Sequence, residues 1–335
     1  MKNTVKIYHP EAVNLFNENT VITELSSGFK FADGPLWHPE GYLMISDLPQ
    51  NRIFQLYRNG VIHVPLYNSG GMFILYTHLS EMIGSNGLAL DKEQNLVFCQ
   101  HGSHGIAKMD KAKNITQLCS SFNGKPFNSP YDIVLKSDGA VFFTDPPYGL
   151  KNQVLNPGIF QPHSGLYRYF DNQVSLLSTD LKYPNGLCFS KDEKYLFLSS
   201  NHPEEKIIYK YEFSAYGKII RKNIFAYINA AGIKIDRYNN LYAATNEGVV
   251  ILSPKGEKLA LIELNGLTTN IAFGGNEESL LFVTTPFAVY YLQLDYNPAR
   301  SIKNKPFEKN AADSSDKLKR KGHNHKPLIE PLFFN

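Results

Sequence analysis

Short apolar runs separated by polar turns recur along most of the chain, and no long helical periodicity interrupts them. Each recurrence opens on a small loop motif. It then passes through an apolar strand, a polar turn and a second apolar or aromatic strand. The copies are DGPLWHPEGYLMISD from Asp33, NGLALDKEQNLVFCQ from Asn86, YDIVLKSDGAVFFTD from Tyr131, NGLCFSKDEKYLFLSS from Asn185, AGIKIDRYNNLYAAT from Ala231 and NIAFGGNEESLLFVTT from Asn270. Their first residues are separated by 53, 45, 54, 46 and 39 positions. A four-stranded propeller blade has a period of about 40 to 50 residues. Six copies therefore predict an all-β fold: a six-bladed β-propeller of four-stranded antiparallel blades around a central channel.

The intervening turns (HPEG, DKEQN, KSDG, SKDEK, DRYNN, GGNEE) combine Gly, Asp and Asn with charge, the residues that tolerate tight reversals. The runs RIFQLY, GIAKMD, GLYRYF, IIYKYEF, GVVILS and AVYYLQL alternate as strands nearer the solvent do. A closed ring needs a strand at its seam, and the segment around Val21 to Phe29 is the candidate to pair with the last blade. The expected organisation is an N-terminal extension over 1–19, the propeller over 20–298 and a basic C-terminal appendage over 299–335.

Of the 335 residues, 43% are hydrophobic and only 19% charged, so there is material for a large core and too little charge for a disordered chain. A net charge of +3 is too weak to call for a nucleic-acid partner. Part of it sits in Lys317, Lys319, Arg320 and Lys321, which read as a solvated tail with His323 and His325. Cys99, Cys119 and Cys188 are odd in number and lack CxxC spacing, so they read as reduced thiols, and with no leader-like N-terminus the expectation is a cytoplasmic protein. No stretch approaches the roughly 18 uninterrupted apolar residues of a membrane span, so no membrane partner is expected.

Every blade begins on its motif, so the motif starts should meet near the axis although they lie far apart in sequence. The polar ones are Asp33, Asn86, Asp132 with Asn128 just upstream, Asn185 and Asn270. One carboxylate with several amide oxygens suits a hard cation. The competing reading is structural, since Asn before Gly is also the signature of a turn in the left-handed conformation. No G-x-S-x-G, H-E-x-x-H, P-loop or G-x-G-x-x-G after a strand is present.

In order, the chain carries Asp33-Gly34-Pro35-Leu36-Trp37, Asn86-Gly87-Leu88-Ala89, Cys99-Gln100-His101-Gly102, Asn128-Ser129-Pro130-Tyr131-Asp132, Thr144-Asp145-Pro146-Pro147-Tyr148-Gly149-Leu150 and Pro184-Asn185-Gly186-Leu187. This ordered set, spanning roughly residues 20 to 298, resembles the SMP-30/gluconolactonase/luciferin-regenerating-enzyme family, its bacterial gluconolactonase branch above all. The resemblance implies a divalent cation in the channel, calcium first with magnesium, manganese or zinc as alternatives. That cation polarises a lactone carbonyl while a fifth-blade Asp helps activate water. The family's ligands are a Glu in the first motif, an Asn in the third blade, the Asn of PNG and an Asp before Gly in the fifth blade.

Carried over singly, the Glu position is Asp33 and the PNG asparagine is Asn185, which are the expected metal ligands. The third-blade position holds Tyr131 and the fifth-blade position Ala231, which can neither bind metal nor move a proton. Expected catalytic residues are His101, as a neutral general base, and Asp132. Asn128, Tyr131 and Asp145 are expected to bind substrate. The function so implied is a hydrolase opening a sugar lactone, acting on a small-molecule substrate. A propeller that only binds a small molecule or protein, having lost the metal site through Tyr131 and Ala231, is the alternative, as is a hydrolase of other esters.

Overall fold

The computed structural model describes residues 3–16, 20–71, 76–214 and 217–296. The expected appendage over 299–335 lies outside the described residues. Six antiparallel sheets stand in sequence order around a ring. Blade 1 is Ala32–His38, Tyr42–Asp47, Arg52–Leu56 and Ile62–Tyr67; blade 2 is Ser85–Leu90, Leu96–Gln100, Gly105–Met109 and Ile115–Cys119. Blade 3 is Ile133–Leu135, Val141–Asp145, Gly165–Phe170 and Gln173–Ser178; blade 4 is Pro184–Phe189, Tyr195–Ser200, Ile208–Phe213 and Ile219–Ala226. Blade 5 is Ile233–Ile235, Leu241–Thr245, Gly248–Leu252 and Lys258–Glu263; blade 6 begins with Asn270–Gly274, Leu280–Thr284 and Ala288–Gln293.

The ring is sealed by the N-terminus. Thr23–Ser27 pairs with Ala288–Gln293 in the register Thr23↔Tyr291 to Ser27↔Ala288 and completes blade 6. Further upstream, Thr4–Ile7 adds a fifth strand to blade 5, with Thr4 opposite Glu263. Lys6 pairs with the Glu263 carboxylate at its edge. The innermost strand of each blade touches that of the next, and that of blade 6 touches that of blade 1.

Burial explains why the strands differ in composition. The second strands Leu96–Gln100, Val141–Asp145, Leu241–Thr245 and Leu280–Thr284 are buried at every position, because neighbouring blades cover both faces. For that reason they read as apolar runs that turn polar only at their last one or two residues. Those singled out by their alternation form the third strands, while outermost strands such as Ile219–Ala226 are largely exposed. The core is divided into six wedges, each drawn from two consecutive blades. Between blades 2 and 3, for example, Val97, Cys99 and Ile106 meet Phe127, Ile133, Val141, Phe143 and Tyr167. Ala12, Leu15 and Phe16 of the N-terminal segment extend the wedge between blades 5 and 6.

The polar turns work as their composition suggests. Asp91 Oδ1 accepts from the Asn95 N–H at 2.8 Å, and Asp236 Oδ1 from the Tyr238 and Asn240 N–H groups at 2.8 and 2.9 Å. The three cysteines are free, with Cys99 and Cys188 buried. No helix among the described residues is long and apolar enough to cross a membrane.

Candidate functional site

The first strands of blades 1, 2 and 4 carry the same irregularity. Their pairing with the second strand slips by one residue between Asp33 and Leu36, between Ser85 and Leu88, and between Pro184 and Leu187. Each slip is a β-bulge at the glycine motif, where one extra residue on the first strand locally breaks the ladder. Asn86 and Asn185 do not have positive φ, so the left-handed turn reading does not hold for them. The glycines answer to the close approach of the neighbouring blade, to which Gly34 adds a left-handed backbone at φ 55°. A Cβ on Gly34 would meet the Asn86 carbonyl oxygen at 2.2 Å, and one on Gly232 would meet Asn270 Oδ1 at 1.9 Å. Hydrogen bonds run across the same seams, from Gly87 N to the Tyr131 carbonyl at 2.7 Å and from Thr144 Oγ1 to the Asn185 carbonyl at 2.8 Å.

Within this ring of bulges lies a buried polar centre. Tyr131 Oη donates to Asp33 Oδ2 at 2.7 Å, and the Gly34 N–H donates to Asp33 Oδ1 at 2.7 Å. Burial pushes the Asp33 carboxyl up to about 6, opposed first by the Tyr131 hydroxyl, then by the Gly34 N–H and, more weakly, the Asn270 amide. Tyr131 is held well above its ordinary range by burial and then by the charge of Asp33, so it remains a hydroxyl donor. Its ring lies 4.8 Å from that of Tyr148, whose hydroxyl stands 3.4 Å from Asn185 Nδ2. Asp33 of blade 1 and Asn185 of blade 4, far apart in the chain, are thus joined across the channel by two phenols.

Several amide atoms here lack a protein hydrogen bond. Asn185 Oδ1 and both polar atoms of Asn86 are buried without a well-aligned hydrogen bond, although the Asn86 amide lies close enough to the Tyr131 hydroxyl to oppose its upward shift. Amide oxygens placed this way are acceptors that a water or a ligand hydroxyl can use. From Tyr148 an aromatic wall continues to Tyr183 at 5.4 Å and on to His202 at 5.1 Å. Tyr148 was not singled out for a role by sequence, although it sits inside a quoted motif, whereas Asn86 was read there as one of the amides meeting at the axis.

The other expected residues are placed around this centre. His101 is buried, its ring 5.9 Å from that of Tyr131 and its Nδ1 3.2 Å from the Met82 carbonyl. Burial pushes it down to about 3, so it is a neutral ring, and its Nε2 is unpaired. Asp132 points elsewhere than Tyr131. Its carboxylate accepts from the Ile133 and Leu187 N–H groups at 2.9 and 3.3 Å and pairs with Lys234 at 3.5 Å, bracing blades 3, 4 and 5. Asp145 is likewise committed: it accepts from the backbone N–H groups of Asn128 and Ser129 at 2.9 and 2.8 Å and from Asn128 Nδ2 at 3.1 Å. Burial pushes it up to about 8 against those three donors. Asp145 is therefore spent on clamping the turn that presents Tyr131, while Asn128 gives its two nitrogens to that clamp and to the His163 carbonyl and keeps a buried Oδ1 without a hydrogen bond.

The donor chemistry can be set against the cation that the resemblance implies. Asp33 and Asn185 supply oxygens at two of the four positions. Tyr131 offers a phenol that is already hydrogen-bonded to Asp33, and Ala231 offers a methyl group. Among the described residues no three His, Cys, Asp or Glu side chains gather as a metal-binding group. The residues present do not fit the family's cation site.

A closed six-bladed ring with a buried carboxylate and amides at its axis defines a β-propeller with a polar centre. Residues 31–287 match the SMP-30/Gluconolactonase/LRE-like region, and the chain belongs to that family. It is 29% identical over 289 residues to a gluconolactonase of Zymomonas mobilis, covering 82% of this chain and 81% of that protein. The solved gluconolactonase of Xanthomonas campestris superposes with a TM-score of 0.75 at 25% identity, over 87% of this chain and 94% of that one. The calcium-binding regucalcin of Agrobacterium tumefaciens shares the fold, with a TM-score of 0.66 at 16% identity over 82% of this chain and 94% of that one.

Proposed function

We propose that this protein is a hydrolase that opens a lactone at the centre of the ring, a sugar lactone of the gluconolactone kind. The observation that carries the reading is the buried Asp33–Tyr131 pair beside the amide oxygens of Asn86 and Asn185, neither of which has a hydrogen bond. It combines a carboxylate able to take a proton from water, a hydroxyl donor for a carbonyl oxygen, and amide oxygens free to bind sugar hydroxyls. The gluconolactonases of Zymomonas mobilis and Xanthomonas campestris, as relatives along most of the chain, support the same reaction class. In this reading Asp33 is the base and Tyr131 the donor. Asn86 and Asn185 orient the substrate, and neutral His101 closes the wall behind Tyr131. Asp132, Asn128 and Asp145 hold the presenting loops.

The test is proton release from gluconolactone by purified protein, alone and with calcium, magnesium, manganese or zinc. Turnover that falls by about 100-fold or more in Asp33→Asn is expected, as for loss of a catalytic base. No turnover under any of these conditions would exclude a lactonase. Thermal stabilisation by gluconolactone without turnover would instead favour a binding propeller, the reading suggested by Ala231.

A further inference from the structure

Two positions that carry oxygen ligands elsewhere in the family hold a phenol and a methyl group here, and the phenol is firmly placed. Tyr131 Oη lies 2.7 Å from the Oδ2 of a fully buried Asp33. The ring rests against Tyr148 and His101, at 4.8 and 5.9 Å, and its backbone N–H is tied to the Thr144 carbonyl at 2.8 Å. We infer that the Tyr131 hydroxyl takes over the electrophilic role of the family's cation, so that this chain opens its lactone without a divalent metal. The inference rests on the lactonase reading above.

A carbonyl under attack by water gathers negative charge on its oxygen, which a cation or a preorganised hydrogen-bond donor can stabilise. A donor inside a buried site is effective because no water competes with it. Tyr131 is such a donor, aimed in the resting site at the one carboxylate of the pair. As water forms its bond to the carbonyl carbon, its proton passes to Asp33. A protonated Asp33 holds the Tyr131 hydroxyl less strongly, and the hydroxyl turns to the new oxyanion. Collapse of the intermediate breaks the ring C–O bond, and Asp33 returns the proton to the leaving alkoxide. The product is the lactone plus one water, with no other reactant. Ala231 fits the same scheme: a second carboxylate at the axis would repel Asp33 unless a cation lay between them, whereas a buried methyl group asks for none.

The experiment compares EDTA-dialysed wild type, Tyr131→Phe and the double variant Tyr131→Asn/Ala231→Asp. Each is assayed by proton release from gluconolactone, with and without calcium, magnesium, manganese or zinc, and each is melted with and without calcium. Wild type should keep its rate within about twofold in EDTA and with each metal, and calcium should leave its Tm unchanged. Tyr131→Phe, which keeps the ring, should lose about 100- to 1,000-fold in rate. The double variant should gain a calcium-dependent rise in both Tm and rate. Wild-type activity abolished by EDTA and restored by a metal overturns the inference and leaves the lactonase reading intact. So does a Tyr131→Phe rate within about threefold of wild type. Absence of wild-type turnover in every condition overturns both.

Discussion

Burial and hydrogen bonding pull Asp33 in opposite directions, and burial wins. Its carboxyl stands at about 6 rather than at the ordinary 3.8, so between these values the folded protein holds a proton that the unfolded chain has released. Stability contributed by this group is therefore fully present below about pH 4 and declines as pH rises towards 6. The shift of about two units corresponds to about 3 kcal/mol. Urea unfolding across pH 4 to 7.5 should show that decline in wild type and lose this component of it in Asp33→Asn. Catalysis has the opposite dependence, since the base works only when ionised. Accordingly, kcat/KM should rise with pH to a plateau above about 6, following the folded-state value. The molecule keeps its carboxylate at the axis despite the cost in stability, as it does the still more strongly shifted Asp145 that holds a turn.

Between strands, the motif glycines govern how closely adjacent blades meet. Gly232 lies against Asn270, and any Cβ there collides with the amide that helps hold Asp33 ionised. Gly232→Ala should lower stability by about 1 to 3 kcal/mol, in the range of overpacked interiors, and depress turnover by displacing Asn270. Thermal melts and the proton-release assay read the two effects. The bulges at Gly34, Gly87 and Gly186 were invisible to a pattern of apolar and polar residues, because a one-residue slip changes pairing without changing composition. The roles of Asn128 and Asp145 were hidden for a related reason. Both types suit ligand binding, and only the three N–H donors facing Asp145 show that it holds a turn.

For the molecule as a whole, closure is the property on which the rest depends. Thr23–Ser27 completes blade 6 from the far end of the chain, whereas Thr4–Ile7 only widens blade 5. Deleting residues 1–27 should leave Ala288–Gln293 as an open edge and yield a protein that aggregates or unfolds non-cooperatively. Deleting residues 1–8 should preserve a single cooperative melt, since Ala12, Leu15 and Phe16 keep their places in the wedge between blades 5 and 6. Calorimetry with size-exclusion chromatography separates these outcomes.

The linear order of residues by itself determined the number of blades, the seam and the family, because strand periodicity, turn chemistry and repeat spacing are local properties. It also showed that Tyr131 and Ala231 depart from the family's ligands. What Tyr131 does instead was decided only in three dimensions. Its hydrogen bond to Asp33 joins residues 98 positions apart, and the separation of Tyr131 from its neighbour Asp132 depends on which way each side chain leaves the loop. Contacts of that kind belong to the closed ring, since no local propensity encodes which side chains will share its axis.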